Sequence, residues 1–194
     1  TLSRIAYRVL SQLGKANETK LTKSGKAMLI YSILKNNKNK LNWIGKSDEN
    51  IEIAMSAITE LKKHGITLEN LKKEIEQSKE IELKTKLEDI ALIYENFEKH
   101  IQNKYIEETD SLTILANNIE LVDYLEESMI YIDEFSGFTK QELDVIIGLI
   151  KNAKKVNITV CTDSLQKEKN PDVDIFYSNK TTIEKIQKRI KEEN

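Results

Sequence analysis

Residues 128–139, Ser-Met-Ile-Tyr-Ile-Asp-Glu-Phe-Ser-Gly-Phe-Thr, constrain the fold more than any other stretch of the chain. Met129 to Ile132 form a short apolar run rich in the β-favouring types Ile and Tyr. Such a run reads as a buried strand of the parallel-sheet kind. Asp133 and Glu134 stand at its carboxyl end, the end where open α/β sheets bind ligands. Thr139 with Glu142 three residues on is a capping box, so the next helix starts there. Strand, acidic pair and capped helix together make Asp133 and Glu134 candidate site residues. The plainer alternative is that both acids only solvate a strand end.

Residues 156–161, Val-Asn-Ile-Thr-Val-Cys, alternate as a second strand. With the helix from Thr139 to about residue 153 between them, the two strands predict a right-handed crossover and a parallel pair. Thr162 and Asp163 then emerge at the same edge as Asp133 and Glu134. The single cysteine, Cys161, lies in the second run, so it is expected to be buried and inert. One cysteine also excludes a disulfide framework or a multi-cysteine metal site within the chain.

The rest reads as helix. Only one Pro and six Gly occur in 194 residues, which argues for long helices and few tight turns. Apolar spacing predicts helices over residues 3–13, stopped by Gly14, and over 24–35. A third helix is capped by Ser47 or Asp48 and ends at His64-Gly65, with His64 exposed. Thr67 caps a short fourth. The fifth, over 81–104, carries a seam of Leu83, Leu87, Ile90, Tyr94, Phe97 and Ile101 for packing on other helices. His100 falls off that seam. Asp110 caps a sixth helix to about residue 120, and a last one starts near Thr182. Residues 164–174 read as a loop. A parallel pair with one helix cannot make a sheet of ordinary size. The expected fold class is therefore α/β but predominantly helical: a small parallel-sheet remnant in residues 1–20 and 106–194, and a helical insert in 21–105.

A net charge of −2 excludes a strongly basic nucleic-acid module but not a local contact surface. Thr1 and Ser3 sit at the entrance of the first helix, as backbone caps or as phosphate or DNA-backbone contacts. The lysines of residues 35–40 read as a solvated loop, with phosphate contact as the alternative. Ser24-Gly25-Lys26 is not a phosphate loop: the preceding glycine is too far away, and Ala27 follows the lysine. No apolar run is long enough to span a bilayer, and no signal-peptide pattern is present. A reducing, cytoplasmic setting and no membrane partner are expected. The chain begins on Thr rather than Met, which suggests a piece of a longer protein.

Several stretches resemble one family. Residues 1–9, Thr-Leu-Ser-Arg-Ile-Ala-Tyr-Arg-Val, are similar to the segment that follows the first nucleotide-binding helix of superfamily-1 helicases, near single-stranded DNA. Residues 86–94 and Asp110-Ser-Leu resemble the helical approach to the acidic motif of UvrD-type helicases. Residues 130–142 and 174–182 look like the AddB family of AddAB- or RexAB-type helicase–nucleases. The resemblance implies a partial P-loop NTPase domain of the UvrD-like 1A kind with a large 1B-like helical insert. It implies Asp133 as the Mg²⁺ ligand, Glu134 as the water-activating residue, and Thr1, Ser3 and Arg4 as DNA-proximal. Asp163 falls where a third motif links nucleotide to DNA, with Gln166 nearby. It implies ATP and Mg²⁺ as cofactors of the parent, DNA as substrate and an AddA-type subunit as partner in a heterodimer. The phosphate loop would lie upstream of Thr1. The second motor domain and a nuclease domain with iron–sulfur cysteines would lie downstream of Asn194.

The leading expectation is thus a fragment of a helicase–nuclease subunit acting in double-strand break repair by homologous recombination, itself without ATPase or nuclease activity. The alternative is a helical protein-interaction module with an incidental Asp-Glu pair. A complete metal-dependent hydrolase would need more converging acids or histidines than Asp133, Glu134 and Asp163.

Overall fold

The computed structural model describes residues 2–14, 19–44, 50–102, 104–107, 109–133, 137–168 and 170–192. In chain order the elements are α1 (Leu2–Gln12), β1 (Lys20–Leu21), α2 (Lys23–Asn36), α3 (Asn50–Lys63), α4 (Leu68–Gln77), α5 (Ile81–Ile101), β2 (Ile106–Glu107) and α6 (Asp110–Asn117). They are followed by β3 (Met129–Ile132), α7 (Lys140–Asn152), β4 (Lys155–Ile158) and α8 (Tyr177–Glu192). The fold is predominantly helical with two small parallel sheets. The chain divides into two compact units, residues 1–13 with 112–194, and residues 14–111.

In the first unit, β3 and β4 pair in parallel from Met129↔Lys155 to Ile132↔Ile158. A parallel pair needs a crossover, and α7 supplies it. The capping box fixes where α7 begins: the Thr139 hydroxyl accepts from Glu142 N, and the Glu142 carboxylate accepts from Thr139 N at 2.8 Å. Helix α7 buries Val145, Ile146, Ile147 and Leu149. Its Val145 and Leu149 join Ala6 and Val9 of α1 with Leu115, Ile119, Val122 and Leu125 in one apolar core, against which Ile130 and Val156 of the sheet pack. Gly148 matters here because a Cβ at that position would meet Ile119 Cγ2 at 2.9 Å.

The second unit packs α2, α3, α4 and α5 around Ile30, Ile33, Ile58, Leu71, Ile93 and Phe97. Thr22 caps α2 by accepting from Gly25 N at 3.0 Å, and Thr67 caps α4 by accepting from Asn70 N at 3.2 Å. Gly65, at φ +64°, ends α3. Its N–H donates to Lys62 O, and Ile66 N donates to Leu61 O, a Schellman ending that only glycine enters without strain.

Strands β1 and β2 pair in parallel, Lys20↔Ile106 and Leu21↔Glu107. Glu107 is thereby buried, at 4% exposure, against two buried lysines. Lys26 of α2 pairs with one carboxylate oxygen, and Lys62 of α3 with the other at 2.8 Å. Lys62 also reaches Asp110 at 2.9 Å and Glu98 at 2.8 Å. Both ammonium groups stand over the Phe97 ring, 5.4 and 5.5 Å from its centroid. Burial pulls Lys62 toward the neutral form, but the charges of Asp110 and Glu107 more than reverse this and hold its pKa above the usual lysine value. Burial likewise pushes Glu107 up, and Lys62 and Lys26 bring it below its ordinary 4.5.

Several expectations change. Strand β4 ends at Ile158, three residues before Cys161, so Cys161 leaves the sheet and is exposed rather than buried. The sixth helix stops at Asn117 and gives way to 3-10 turns at Ile119–Leu121 and Asp123–Leu125. The last helix starts at Tyr177, five residues early, after a turn in which the Asp174 carboxylate accepts from Phe176 N at 2.9 Å and its carbonyl from Tyr177 N at 3.0 Å. Leu83, at 44% exposure, drops out of the α5 seam, while Ala91 and Ile93 join the core. Helix α2 runs to Asn36, into the expected loop. The proposed caps Ser47 and Asp48 lie outside the described residues. His64 and His100 are exposed, as expected.

This packing makes two substitutions informative. Glu107→Ala leaves two buried ammonium groups short of a partner and should destabilise the second unit by about 3–5 kcal/mol in urea unfolding. Because its pKa is depressed on folding, the contribution of Glu107 is complete above pH 4.5 and is lost as pH falls below that value. Gly148→Ala should cost about 1–3 kcal/mol by overpacking against Ile119, and should cost less in an Ile119→Ala background, which a double-mutant cycle in urea measures.

Candidate functional site

The carboxyl edge of the β3–β4 pair carries the residues that the sequence singles out. Asp133 follows directly on β3 and is exposed. The pairing continues one step past the strand, with Thr159 N donating to Ile132 O at 2.9 Å. The segments leaving the two strands both meet the first two turns of α8. Asn179 donates its amide to Cys161 O at 2.6 Å on the β4 side. Gly137, on the β3 side, lies 3.7 Å from the Thr182 hydroxyl, measured from where its Cβ would stand. Asn179 and Thr182 are one turn apart on α8, so the two post-strand segments converge on one helix face.

Asp163 lies in the segment after β4 and is held by a buried lysine. The Lys180 ammonium, whose side chain is 2% exposed, sits 2.7 Å from Asp163 and 2.9 Å from Asp174. Asp174 is itself buried and also accepts from Glu168 N at 3.3 Å. The hydrogen bond from Lys180 keeps the Asp163 carboxyl below the usual aspartate value. Burial works the other way on Asp174, but the bonds from Lys180 and the backbone leave it lowered too. Thr162 donates its hydroxyl to Ser164 O at 2.6 Å and Ser164 donates to Gln166 O at 3.1 Å, which tightens the turn. Gln166 is exposed at the end of that turn.

At the other candidate surface, Ser3 and Arg4 are exposed on α1. They share that face with Tyr7 and Arg8, which the sequence pattern did not single out. The Arg8 guanidinium stands 5.4 Å from the centre of the Tyr124 ring. Helix α1 carries no acid in its first turn and two arginines, at positions 4 and 8, so this face is cationic. The three-to-four-residue spacing of Arg4, Tyr7 and Arg8 is the signal that extends the face. Thr1 and Glu134 lie outside the described residues.

Ser24-Gly25-Lys26 forms the first turn of α2, with Lys26 buried on Glu107, so its ammonium is committed to the core. Among the described residues no three His, Cys, Asp or Glu side chains converge as a metal site. Asp133 alone fits one ligand position of Mg²⁺, an ion that takes one or two carboxylates and leaves the rest to water and phosphate. Also among the described residues, no helix is long and apolar enough to cross a membrane.

Lys180→Met should lower the urea midpoint of the first unit more than Asp163→Asn does, because the first strands buried Asp174 and the second removes only an exposed partner.

The family model for the N-terminal part of AddB matches residues 1–194. Three relatives are each named as the B subunit of an ATP-dependent helicase/deoxyribonuclease. The one from Clostridium tetani is 38% identical, over all of this chain and 18% of the relative. The one from Clostridium botulinum (strain Loch Maree / Type A3) is 36% identical, over all of this chain and 17% of the relative. The one from Acetivibrio thermocellus is 37% identical, over 99% of this chain and 17% of the relative. The chain therefore spans about a sixth of the length of these relatives. It belongs to the AddB N-terminal family.

Proposed function

We propose that this chain is the N-terminal part of the AddB component of an AddAB-type helicase–nuclease that processes DNA ends at double-strand breaks for homologous recombination. In this reading the first unit is part of a helicase-like α/β domain of the 1A kind, a remnant of a P-loop NTPase sheet. The second unit is its 1B-like helical insert. The parent works in the cytoplasm with an AddA-type subunit as a heterodimer, using ATP and Mg²⁺. Any iron–sulfur cluster draws its cysteines from elsewhere in the parent, since this chain offers only Cys161.

The observation that carries the reading is the β3–α7–β4 crossover with Asp133 at its carboxyl edge. That edge is where parallel α/β sheets place ligands. Asp133 is assigned as one Mg²⁺ ligand, Glu134 as the water-orienting acid, and Ser3, Arg4 and Thr1 as the DNA-proximal face. Bound Mg²⁺ would supply charge neutralisation on the phosphates. The chain's own contribution is to hold the Asp133 carboxylate at the strand end and to present the cationic face of α1. Asp163 and Gln166 are assigned to the segment that links nucleotide and DNA.

A second reading is favoured by one observation: Lys180 already neutralises Asp163. On that view the rim is architectural and the chain is a helical interaction module with no nucleotide site.

The 194-residue chain is expected to show no ATP turnover with single-stranded DNA and Mg²⁺, because its sequence carries no Gly-x-x-x-x-Gly-Lys-Ser/Thr phosphate loop. In the full-length AddB protein joined to its partner, Asp133→Ala should reduce whatever ATPase AddB contributes. Turnover by the isolated chain that Asp133→Ala abolishes would overturn the expected inactivity. No effect of Asp133→Ala in the full complex would favour the module reading.

A further inference from the structure

We propose that residues 35–44 of the second unit form a contact surface for single-stranded nucleic acid. Trp43 is the stacking platform for a base, and Lys35, Lys38 and Lys40 are the phosphate contacts. This goes beyond the reading above, which places its DNA-proximal residues on α1.

The charge distribution is the first support. Residues 19–44 hold six lysines and no Asp or Glu, in a chain whose net charge is −2. Lys26 is buried on Glu107, but the other five are exposed. Three of those five fall in the six residues at the end of α2, interleaved with Asn36, Asn37 and Asn39. A tight turn gathers them: Lys40 N donates to Asn37 O at 2.8 Å and Leu41 N to the same oxygen at 3.2 Å. A lysine in the last helical turn suits the helix dipole, which accounts for Lys35 but not for Lys38 or Lys40.

The second support is the rigid presentation of an aromatic ring. Trp43 is the only tryptophan and is 42% exposed. Its neighbours Leu41 and Ile44 are buried, at 7% and 1% exposure, so they anchor the segment on both sides. From beneath, the Asp89 carboxylate of α5, 2% exposed, accepts the backbone N–H groups of three successive residues. The distances are 3.0 Å to Asn42, 2.6 Å to Trp43 and 2.9 Å to Ile44. A solvated connection needs no buried carboxylate to fix it. The Lys86 ammonium stands over the Trp43 ring, 5.1 Å from its centre, and so places a cation on one face of the platform. The acids flanking Lys86 on α5 are Glu82, which pairs with it, and exposed Glu88. A fixed, exposed ring within a run of lysines is the combination that binds single strands: π-faces take bases and cations track the phosphates. An acidic peptide would satisfy the lysines but would leave the ring without a stacking partner.

Because Trp43 is the only tryptophan, its fluorescence reports this surface alone. Titration with an oligothymidylate of about 15 nucleotides, without ATP or Mg²⁺, should quench it saturably, and raising salt to about 0.5 M should abolish the quench. The double variant K38A/K40A should weaken binding about tenfold without moving the unfolding midpoint. Trp43→Ala should weaken binding of a dye-labelled oligonucleotide by a similar factor, with Trp43→Phe intermediate. No quench, or an equal quench by an abasic oligomer or by polyglutamate of the same charge, would overturn the proposal. Since neither nucleotide nor metal takes part, this result and the fate of the Asp133 assignment are separable.

Discussion

Parallel strands cannot be closed by a hairpin, and that constraint organises the first unit. Once β3 and β4 align over four residue pairs, the chain between them must climb back over the sheet as a helix. The Thr139–Glu142 box sets where that helix starts, and Gly148 lets Ile119 press against its backbone. The apolar face of α7 then covers the same core that α1 enters with Ala6 and Val9. Asp133 reaches the carboxyl edge as a consequence of this geometry, whatever chemistry occurs there. Helix α8 adds the last piece, meeting both post-strand segments with Asn179 and Thr182.

The second unit is specified differently, through charge inside the core. Strands of two residues have no hydrophobic alternation of their own to fix a register. Here Glu107 favours the observed register, which brings its carboxylate between Lys26 and Lys62. Buried ion pairs contribute little net stability compared with apolar packing, yet breaking one is costly. The cluster therefore penalises any alternative arrangement of α2, α3 and β2 that leaves an ammonium group unpaired. Phe97 lets the two lysines be buried side by side, since its ring face attracts both.

What the sequence discloses follows the range of the interactions. Thr67, Thr139 with Glu142, and Gly65 act on backbone groups a few residues away, so their positions mark helix ends correctly. The place of the β3 run and its parallel pairing are readable from its residue types and from the length of the helix between the strands, but its expected burial is not met: Met129 and Tyr131 are exposed at 60% and 71%. The two-residue strands are not, because two residues carry no period. Lys26, Lys62 and Lys180 look like surface lysines, and their burial depends on carboxylates elsewhere in the chain. Cys161 is misplaced by the pattern because alternation does not show where pairing stops. At the candidate site, the place of Asp133 is legible from the strand end. The engagement of Asp163 is not, since its partner belongs to a later helix.

That engagement divides the labour among the rim acids. Lys180 has two partners of unequal standing: Asp174, with its side chain 2% exposed, and Asp163, 61% exposed. Losing the exposed partner leaves the buried ammonium still paired and Asp174 still bonded to the backbone of Glu168 and Phe176. Losing the buried one would strand the Glu168 and Phe176 N–H groups that its carboxylate accepts and leave Lys180 with only an exposed partner. Asp174 is thus fixed by the fold, whereas Asp163 can exchange Lys180 for another cation or a hydrogen-bond donor without unmaking the first unit.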